Sequence, residues 1–289
     1  MSEQVFIPRL AIIGVGLIGG SLALALKERG VVGEVVGCGR GRPNLEKALE
    51  MGIVDRYSRD PVAAVKDADV VFLATPVKSF AAVTRQLLPG LKPGAVLTDG
   101  GSVKAAVVAE VEPLLPDQIQ FVPGHPIAGT EKSGAEAAFP TLYQGKRCIL
   151  TPTARTAEGA LDLVRRMWQA VGSDVVTMSL EKHDRVLAAI SHLPHMVAYS
   201  LVNAVGSYDH YEENILEYSA GGFRDFTRIA SSDPTMWRDI AETNRDALLE
   251  MMAQFEIFFA ELKADIEAGN GDRMFEFFLK SKQLRDAIL

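Results

Sequence analysis

The stretch RLAIIGVGLIGGSLALALK (residues 9–27) decides the fold. Leu10 to Ile13 is an apolar run that ends at Gly14, which reads as a buried strand. From Ile18 to Arg29 Leu and Ala recur at helical spacing, and Gly30 stops the run. Between them stands Gly14-Val15-Gly16-Leu17-Ile18-Gly19. The first glycine of such a turn permits a tight bend, the second lets the backbone approach a pyrophosphate, and the third lets helix and strand pack closely. With a strand before it, a helix after it and a second strand at Glu34–Gly37, the turn opens a dinucleotide-binding unit. Gly14, Gly16, Leu17, Ile18 and Gly19 are the candidate cofactor-binding residues there. Thr75 and Pro76, at the end of the next apolar strand, join them.

Outward from this unit, strands and helices alternate. Helical patterns cover Pro43–Met51, Phe80–Leu88, Lys104–Leu115 and Ala157–Val171, and strand patterns cover Asp69–Thr75, Ala95–Thr98, Gln120–Val122, Cys148–Leu150 and Asp174–Thr177. That order implies a parallel sheet with crossover helices. After about Leu180 no strand pattern remains, and Glu181–Val205, Pro234–Ala268 and Arg273–Leu284 carry helical periodicity. The expected architecture is an α/β Rossmann-type dinucleotide-binding domain with a mainly parallel sheet over residues 1–180. An all-α domain for substrate binding and dimerisation follows over 181–289. Met251, Met252, Phe255, Phe258, Phe259, Phe275, Phe277 and Phe278 are more apolar bulk than one small helical layer can hide, which points to a homodimer through this domain.

Composition narrows the class. Of 289 residues, 48% are hydrophobic and 23% charged, which excludes intrinsic disorder. Lys and Arg number 30 against 37 Asp and Glu, a net charge of −7, so neither nucleic acid nor an anionic membrane is the expected partner. The two cysteines, Cys38 and Cys148, form no CxxC pair, which fits a reduced, cytoplasmic protein. The N-terminus lacks the basic start of a signal peptide. Of two long uncharged stretches, Leu10–Leu26 is too rich in glycine to span a bilayer. Val186–Tyr208 holds His192, Pro194, His195 and Asn203, so it reads as a buried core helix.

Chemistry concentrates at a few places. Twenty residues past Gly19, where an NAD-specific site carries Asp or Glu for the ribose hydroxyls, stands Gly39, followed by Arg40 and Arg42. Two guanidinium groups suit a 2′-phosphate, so NADP is favoured over NAD. Ser102 and His125 lie just after expected strands, where ligands of open parallel sheets bind. An imidazole there can take a hydroxyl proton as hydride leaves the carbon. In the helical half, His192 and His195 share one helix face, and Pro194 must distort that helix. His125, His183, His192 and His195 could offer nitrogens to a metal, yet no carboxylate or thiolate with ligand spacing joins them, so none is expected. Further on, a glycine pair precedes Arg224, Asp225 and Arg228, and Arg228 is the better carboxylate clamp.

These residues resemble the prephenate/arogenate dehydrogenases of tyrosine biosynthesis. The resemblance rests on GVGLIGGSLALALK (14–27), DGGSVK (99–104), GHPIAGTEKSG (124–134), HDRVLAAISHLPH (183–195) and GGFRDFTRIASSDPTMW (221–237), in order over nearly the whole chain. It implies oxidative decarboxylation of prephenate to 4-hydroxyphenylpyruvate with hydride transfer to NAD or NADP. It further implies that His125 accepts the hydroxyl proton, Ser102 orients the same hydroxyl, and His195 and Arg228 bind substrate. Thr130 and Glu131 would line the pocket, and Asp225 and Trp237 would reach in from a partner subunit. Gly39 departs from the NAD-specific pattern. The expected form is the compact one, without a mutase or regulatory domain. Arogenate, with an amine for the side-chain keto group, stays open as the substrate. A 3-hydroxyacid dehydrogenase would rely on a lysine in the helical half, and none falls between Lys182 and Lys263. A non-catalytic NADP-sensing dimer would leave the polar set unexplained.

Overall fold

The structure, a computed structural model, describes residues 4–208 and 215–288. Its core is a six-stranded, all-parallel sheet in the order β3-β2-β1-β4-β5-β6. The strands are β1 (Ile7–Ile13), β2 (Val32–Cys38), β3 (Arg56–Ser58), β4 (Val70–Leu73), β5 (Val96–Asp99) and β6 (Gln120–Val122). Every residue of β4 and β5 is buried, as a sheet covered on both faces requires. The crossover helices are α1 (Leu17–Arg29), α2 (Arg42–Glu50), α3 (Pro61–Val65), α4 (Phe80–Leu87) and α5 (Ala105–Val111). One face packs Leu22, Leu45, Phe72 and Trp168, the last on α6 (Glu158–Ala170). The other packs Val65, Phe80, Leu97 and Val107. The strand order reverses between β1 and β4, so a crevice opens beyond their carboxyl ends.

The short β3 and α3 are not among the elements that the sequence pattern predicts. Arg56-Tyr57-Ser58 is half-buried at the sheet edge and shows no alternation, although Asp60 caps α3 and Pro61 starts it. A second correction concerns the later strands. Cys148–Leu150 and Asp174–Thr177 do not extend the main sheet. They become β8 (Arg147–Leu150) and β9 (Asp174–Thr177) of a separate three-stranded sheet, β7-β8-β9, with β7 (Gly124–Pro126) antiparallel to β8. His125 therefore stands on a strand and not in a loop. The reason is Pro123, which has no N–H to continue the β6 ladder and whose carbonyl accepts from Thr151 N at 3.0 Å.

The helical half begins with α7 (Leu180–Leu187), capped by Ser179, whose hydroxyl accepts from Lys182 N. The single helix expected over Glu181–Val205 is interrupted by a π-helical turn at Ala188–His192 before α8 (Leu193–Tyr208). Pro194 cannot donate to the ladder, and the chain widens just ahead of it. After α9 (Gly221–Thr227) the expected Pro234–Ala268 run is likewise two helices, α10 (Pro234–Thr243) and α11 (Arg245–Glu267), separated at Asn244. α12 (Gly271–Asp286) closes the described chain. A small core of Val103, Trp237 and Ile240 joins the two halves. α11 buries only Leu248 and Asp265, and α12 buries no residue, so Phe258, Phe259, Phe275 and Phe278 lie about half exposed or more. Among the described residues no helix is long and apolar enough to cross a membrane.

Candidate active site

The glycine turn meets its three demands separately. Gly14 has φ +100°, and a Cβ there would lie 2.6 Å from the Ala74 carbonyl oxygen at the end of β4. A Cβ on Gly19 would lie 2.5 Å from the Gly14 oxygen and 2.6 Å from Ile12, so helix and strand could not pack. A Cβ on Gly16 would meet nothing within 4 Å. That open space lies at the N-terminus of α1, where no side chain caps the first turn and no acidic residue occupies it. Free N–H groups and the positive end of the helix dipole face it, which fits a dinucleotide pyrophosphate. Thr75 borders the same turn and shares a 2.8 Å hydrogen bond with Ser79, and Pro76 follows it.

At the outer edge of this crevice, Gly39 follows β2 and Arg40 is exposed. Arg42 is engaged with Glu46 on its own helix, Nε to Oε1 at 2.8 Å. Arg59, which the sequence pattern does not single out, adjoins this corner: it follows Ser58, whose Cα pairs with that of Cys38. Nothing in its spacing announces this, because the pairing of β2 with β3 decides it.

Inside, a fully buried ion pair organises the loop after β5. Lys104 Nζ bonds the Asp99 carboxylate and donates to the Gly124 carbonyl at 2.6 Å. Asp99 accepts in turn from Gly101 N at 2.8 Å and Gly124 N at 3.1 Å. Ser102 is half-buried between Gly101 and Lys104, both held in this cluster, and Gly124 precedes His125. Two charges buried together are tolerable only because their remaining valences are met by backbone groups.

His125 is buried on β7, and its Nδ1 lies 2.9 Å from His183 Nε2. His183 Nδ1 lies 2.7 Å from Asp184 Oδ1. The two Asp184 oxygens also accept from Lys104 N and Ala105 N, each at 2.9 Å. The network fixes the tautomers. An ionised carboxylate only accepts, so the His183 proton sits on Nδ1 and its Nε2 accepts. The His125 proton then sits on Nδ1, and its Nε2 keeps a lone pair. Burial, then the neighbouring His183, Lys104 and His192, hold the His125 pKa well below the ordinary histidine value. Burial lowers His183 as well, against the pull of its bond to Asp184, so their contact joins a neutral imidazole to a carboxylate. Burial alone would raise Asp184, but its bonds from His183 and from the Lys104 and Ala105 backbone outweigh this and keep it ionised.

Asn244, at the break between α10 and α11, completes the inner wall. Its Nδ2 donates to the Asp184 carbonyl at 2.9 Å and to His192 Nδ1 at 3.0 Å. Burial pushes the His192 pKa down to about 4. His195 donates from Nδ1 to the Ser191 carbonyl at 2.8 Å, leaving Nε2 as an acceptor, and its ring stacks on Trp237 at 3.6 Å between centroids. Burial lowers the His195 pKa, opposed by that carbonyl and assisted by Arg228. Arg228 reaches Glu131 Oε2 at 3.4 Å. The pair is exposed, so little free energy holds the guanidinium away from another anion.

The fold thus gathers His195, Trp237, Arg228 and Glu131 of the helical half and the β7 loop. Thr130 is exposed beside Glu131, its hydroxyl accepting from Lys132 N at 3.2 Å. One expectation changes. Trp237 is packed against His195 and His192 of its own chain and is 6% exposed, so its ring belongs to the packing of its own chain. Asp225 is exposed on α9. His183, Asp184, Lys104 and Asn244 take roles that the sequence pattern does not assign. The His183–Asp184 pair is visible in the sequence, but its contact with His125 spans 58 positions.

A nucleotide-binding sheet whose crevice ends in a carboxylate-anchored histidine defines a nicotinamide dinucleotide-dependent dehydrogenase. The chain matches the models of the prephenate dehydrogenase nucleotide-binding domain at residues 22–177 and of the prephenate dehydrogenase dimerization domain at residues 179–280. A cyclohexadienyl dehydrogenase of Zymomonas mobilis is 38% identical over 96% of this chain and 95% of its own length. Prephenate dehydrogenase of Aquifex aeolicus, solved with hydroxyphenyl propionate and NAD+, superposes with a TM-score of 0.93 at 39% identity, over 99% of this chain and all of that one. Arogenate dehydrogenase of Synechocystis superposes with a TM-score of 0.80 at 29% identity, over 97% of this chain and 100% of that one. The protein belongs to the prephenate dehydrogenase family.

Proposed function

We propose that this protein oxidatively decarboxylates prephenate to 4-hydroxyphenylpyruvate. The observation that carries the reading is the hydrogen-bonded run from Asp184 through His183 to His125, which leaves His125 Nε2 as a base beside the nucleotide-binding crevice. When bound, the nicotinamide supplies the acceptor for hydride from the carbinol carbon. His125 takes the hydroxyl proton as that hydride leaves. It returns the proton to the same oxygen as the ring carboxylate departs as CO2 and the ring becomes aromatic, so no proton has to leave the buried site. Ser102 orients the hydroxyl. His183 and Asp184 hold His125 in the reactive tautomer and stabilise it while charged. Arg228 anchors a substrate carboxylate, with Glu131, Thr130, Trp237 and His195 lining the pocket.

The cofactor reading is NADP in preference to NAD, with NAD accepted. Gly39 removes the acid that selects NAD, and Arg40, Arg42 and Arg59 give the adenosine end positive charge. A homodimer through the exposed faces of α11 and α12 is part of the same reading, as is a cytoplasmic location, and Asp225 is then the residue offered to the partner's site.

One observation favours arogenate as a second substrate. With its Nδ1 proton on the Ser191 carbonyl, neutral His195 offers an acceptor, which suits the arogenate ammonium better than a keto oxygen. The test is the purified protein with prephenate or arogenate, crossed with NAD or NADP, followed by absorbance of the reduced cofactor. Turnover of prephenate is expected, faster with NADP. No turnover in any of the four combinations overturns the reading.

A further inference from the structure

The loop carrying Thr130 and Glu131 leaves β7 and is tied back to the nucleotide-binding half. The tie nearest the loop is Asn44, in the first turn of α2. Its Nδ2 donates to the Val15 carbonyl at 2.7 Å, inside the glycine turn, and its Oδ1 accepts from Ala135 N at 2.9 Å, four residues past Glu131. Behind it, Phe139 N donates to Ser21 Oγ at 3.0 Å and Tyr143 Oη donates to the Ile18 carbonyl at 2.6 Å, which fixes the rest of the segment on α1. Lys47, one helical turn past Asn44, lies 3.7 Å from Glu136.

One side chain therefore bonds the backbone of both binding segments at once. If either moves, a hydrogen bond is lost or strained. Asn44 also lies two residues beyond Arg42, on the stretch that leads from the adenosine corner into α2. A dinucleotide that settles on Gly14–Gly19 and on this corner fixes the Val15 carbonyl and the start of α2, and through Asn44 it fixes Ala135.

We infer that Asn44 is a positioning residue that couples the two sites, so that bound dinucleotide tightens the enzyme's grip on its cyclohexadienyl acid and on acids that resemble it. The inference rests on the dehydrogenase reading above. Linkage requires the acid to tighten the dinucleotide by the same factor. An amide is suited to the task because it donates on one side and accepts on the other.

The experiment is calorimetric titration of hydroxyphenyl propionate into the free enzyme and into enzyme saturated with NAD+ or NADP+. For the wild type the Kd should fall by about fivefold or more when cofactor is present, the lower end of ordinary coupling, and the reverse titration should give the same ratio. In Asn44→Ala that ratio should collapse to within about twofold of unity, with KM for the acid rising more than kcat falls. A residue that merely supports the fold would weaken both ligands or lower Tm and leave the ratio intact. Asn44→Asp keeps the acceptor toward Ala135 N and loses the donor toward Val15, so it should lose the ratio too, and it serves if the alanine variant does not fold. A ratio of wild-type size in either folded variant, or no ratio in the wild type, overturns the inference. Wild-type enzyme that turns over neither cyclohexadienyl acid removes the functional reading instead, and the two failures are told apart by the turnover assay alone.

Discussion

His183→Leu removes the acceptor that holds the His125 Nδ1 proton while keeping similar bulk at a fully buried position. In the resting enzyme both partners are neutral, so the bond contributes only about 1 kcal/mol. In the transition state His125 is becoming an imidazolium, and a hydrogen bond from a charged donor contributes about 1.5–3 kcal/mol. The interaction is thus strongest where the barrier stands, and its loss should appear in kcat. The difference between the two states is about 0.5–2 kcal/mol, which at 1.36 kcal/mol per factor of ten is about 2- to 30-fold in kcat. The KM for the acid should move by less than about threefold, because Arg228 and His195 do not depend on His183. Asp184 keeps its two backbone donors, so the variant should fold with a stability loss of about 1–3 kcal/mol. The assay is initial-rate cofactor reduction at saturating substrate, with a urea melt of the same preparation. A folded variant whose kcat equals that of the parent would show that the base needs no partner, and the role assigned to the His183–Asp184 pair would fail.

Acid should weaken both activity and stability. The lowered His125 pKa keeps the base free at neutral pH, so kcat/KM should stay flat through neutrality and fall only well below the ordinary value of about 6.5. His125, His183 and His192 all bind protons less readily folded than unfolded, so their stabilisation is full above about pH 6.5 and is lost as pH falls through the lowered values. For His192, moved to about 4, the loss reaches roughly 3 kcal/mol by that pH. An acid limb in the rate at or above the ordinary histidine value, or melts unchanged under mild acid, would contradict the buried neutral cluster. Lys104→Met should destabilise the protein by about 3–5 kcal/mol in denaturant melts, because Asp99 is left buried without its cation; recovery of part of that loss by adding Asp99→Asn is the check. Arg228→Ala should raise KM for the acid about tenfold or more, from the loss of a charge-assisted hydrogen bond, with a smaller change in kcat; an unchanged KM moves the clamp elsewhere. Phe259→Asp, at a side chain 61% exposed on α11, should shift the sedimentation of the protein from dimer to monomer, and an unshifted dimer would place the interface on another face.

Local chemistry makes much of this molecule legible in its sequence. The glycine turn is readable because its strand–turn–helix pattern is local, although Ala74, which Gly14 must clear, is not, and the parallel strands because burial on both faces leaves unbroken apolar runs. His125 and Ser102 stand out as polar groups just after such runs, and Arg228 stands out behind the glycine pair of the helical half. Pro194 announces that its helix is distorted, but apolar periodicity does not say that the distortion is a π turn at Ala188–His192. The break at Asn244 leaves no mark, and only packing puts a buried amide there. Pro123 ends the β6 ladder, but nothing in the spacing says that β7, β8 and β9 then pair with one another in a second sheet.

What the chain by itself determined, then, is the dinucleotide-binding scaffold, the helical second half and the residue types available for chemistry, since these follow from spacing along a few turns or one strand. Tertiary structure alone decided which histidine answers His125, that Lys104 and Asp99 are buried beneath it, that Trp237 serves its own chain, and that Asn44 bridges two binding segments. Those contacts join residues 58, 5, 42 and 91 positions apart. A hydrogen bond depends on distance and direction in space, and only the packed sheet and helices fix those for groups whose separation along the chain says nothing about them.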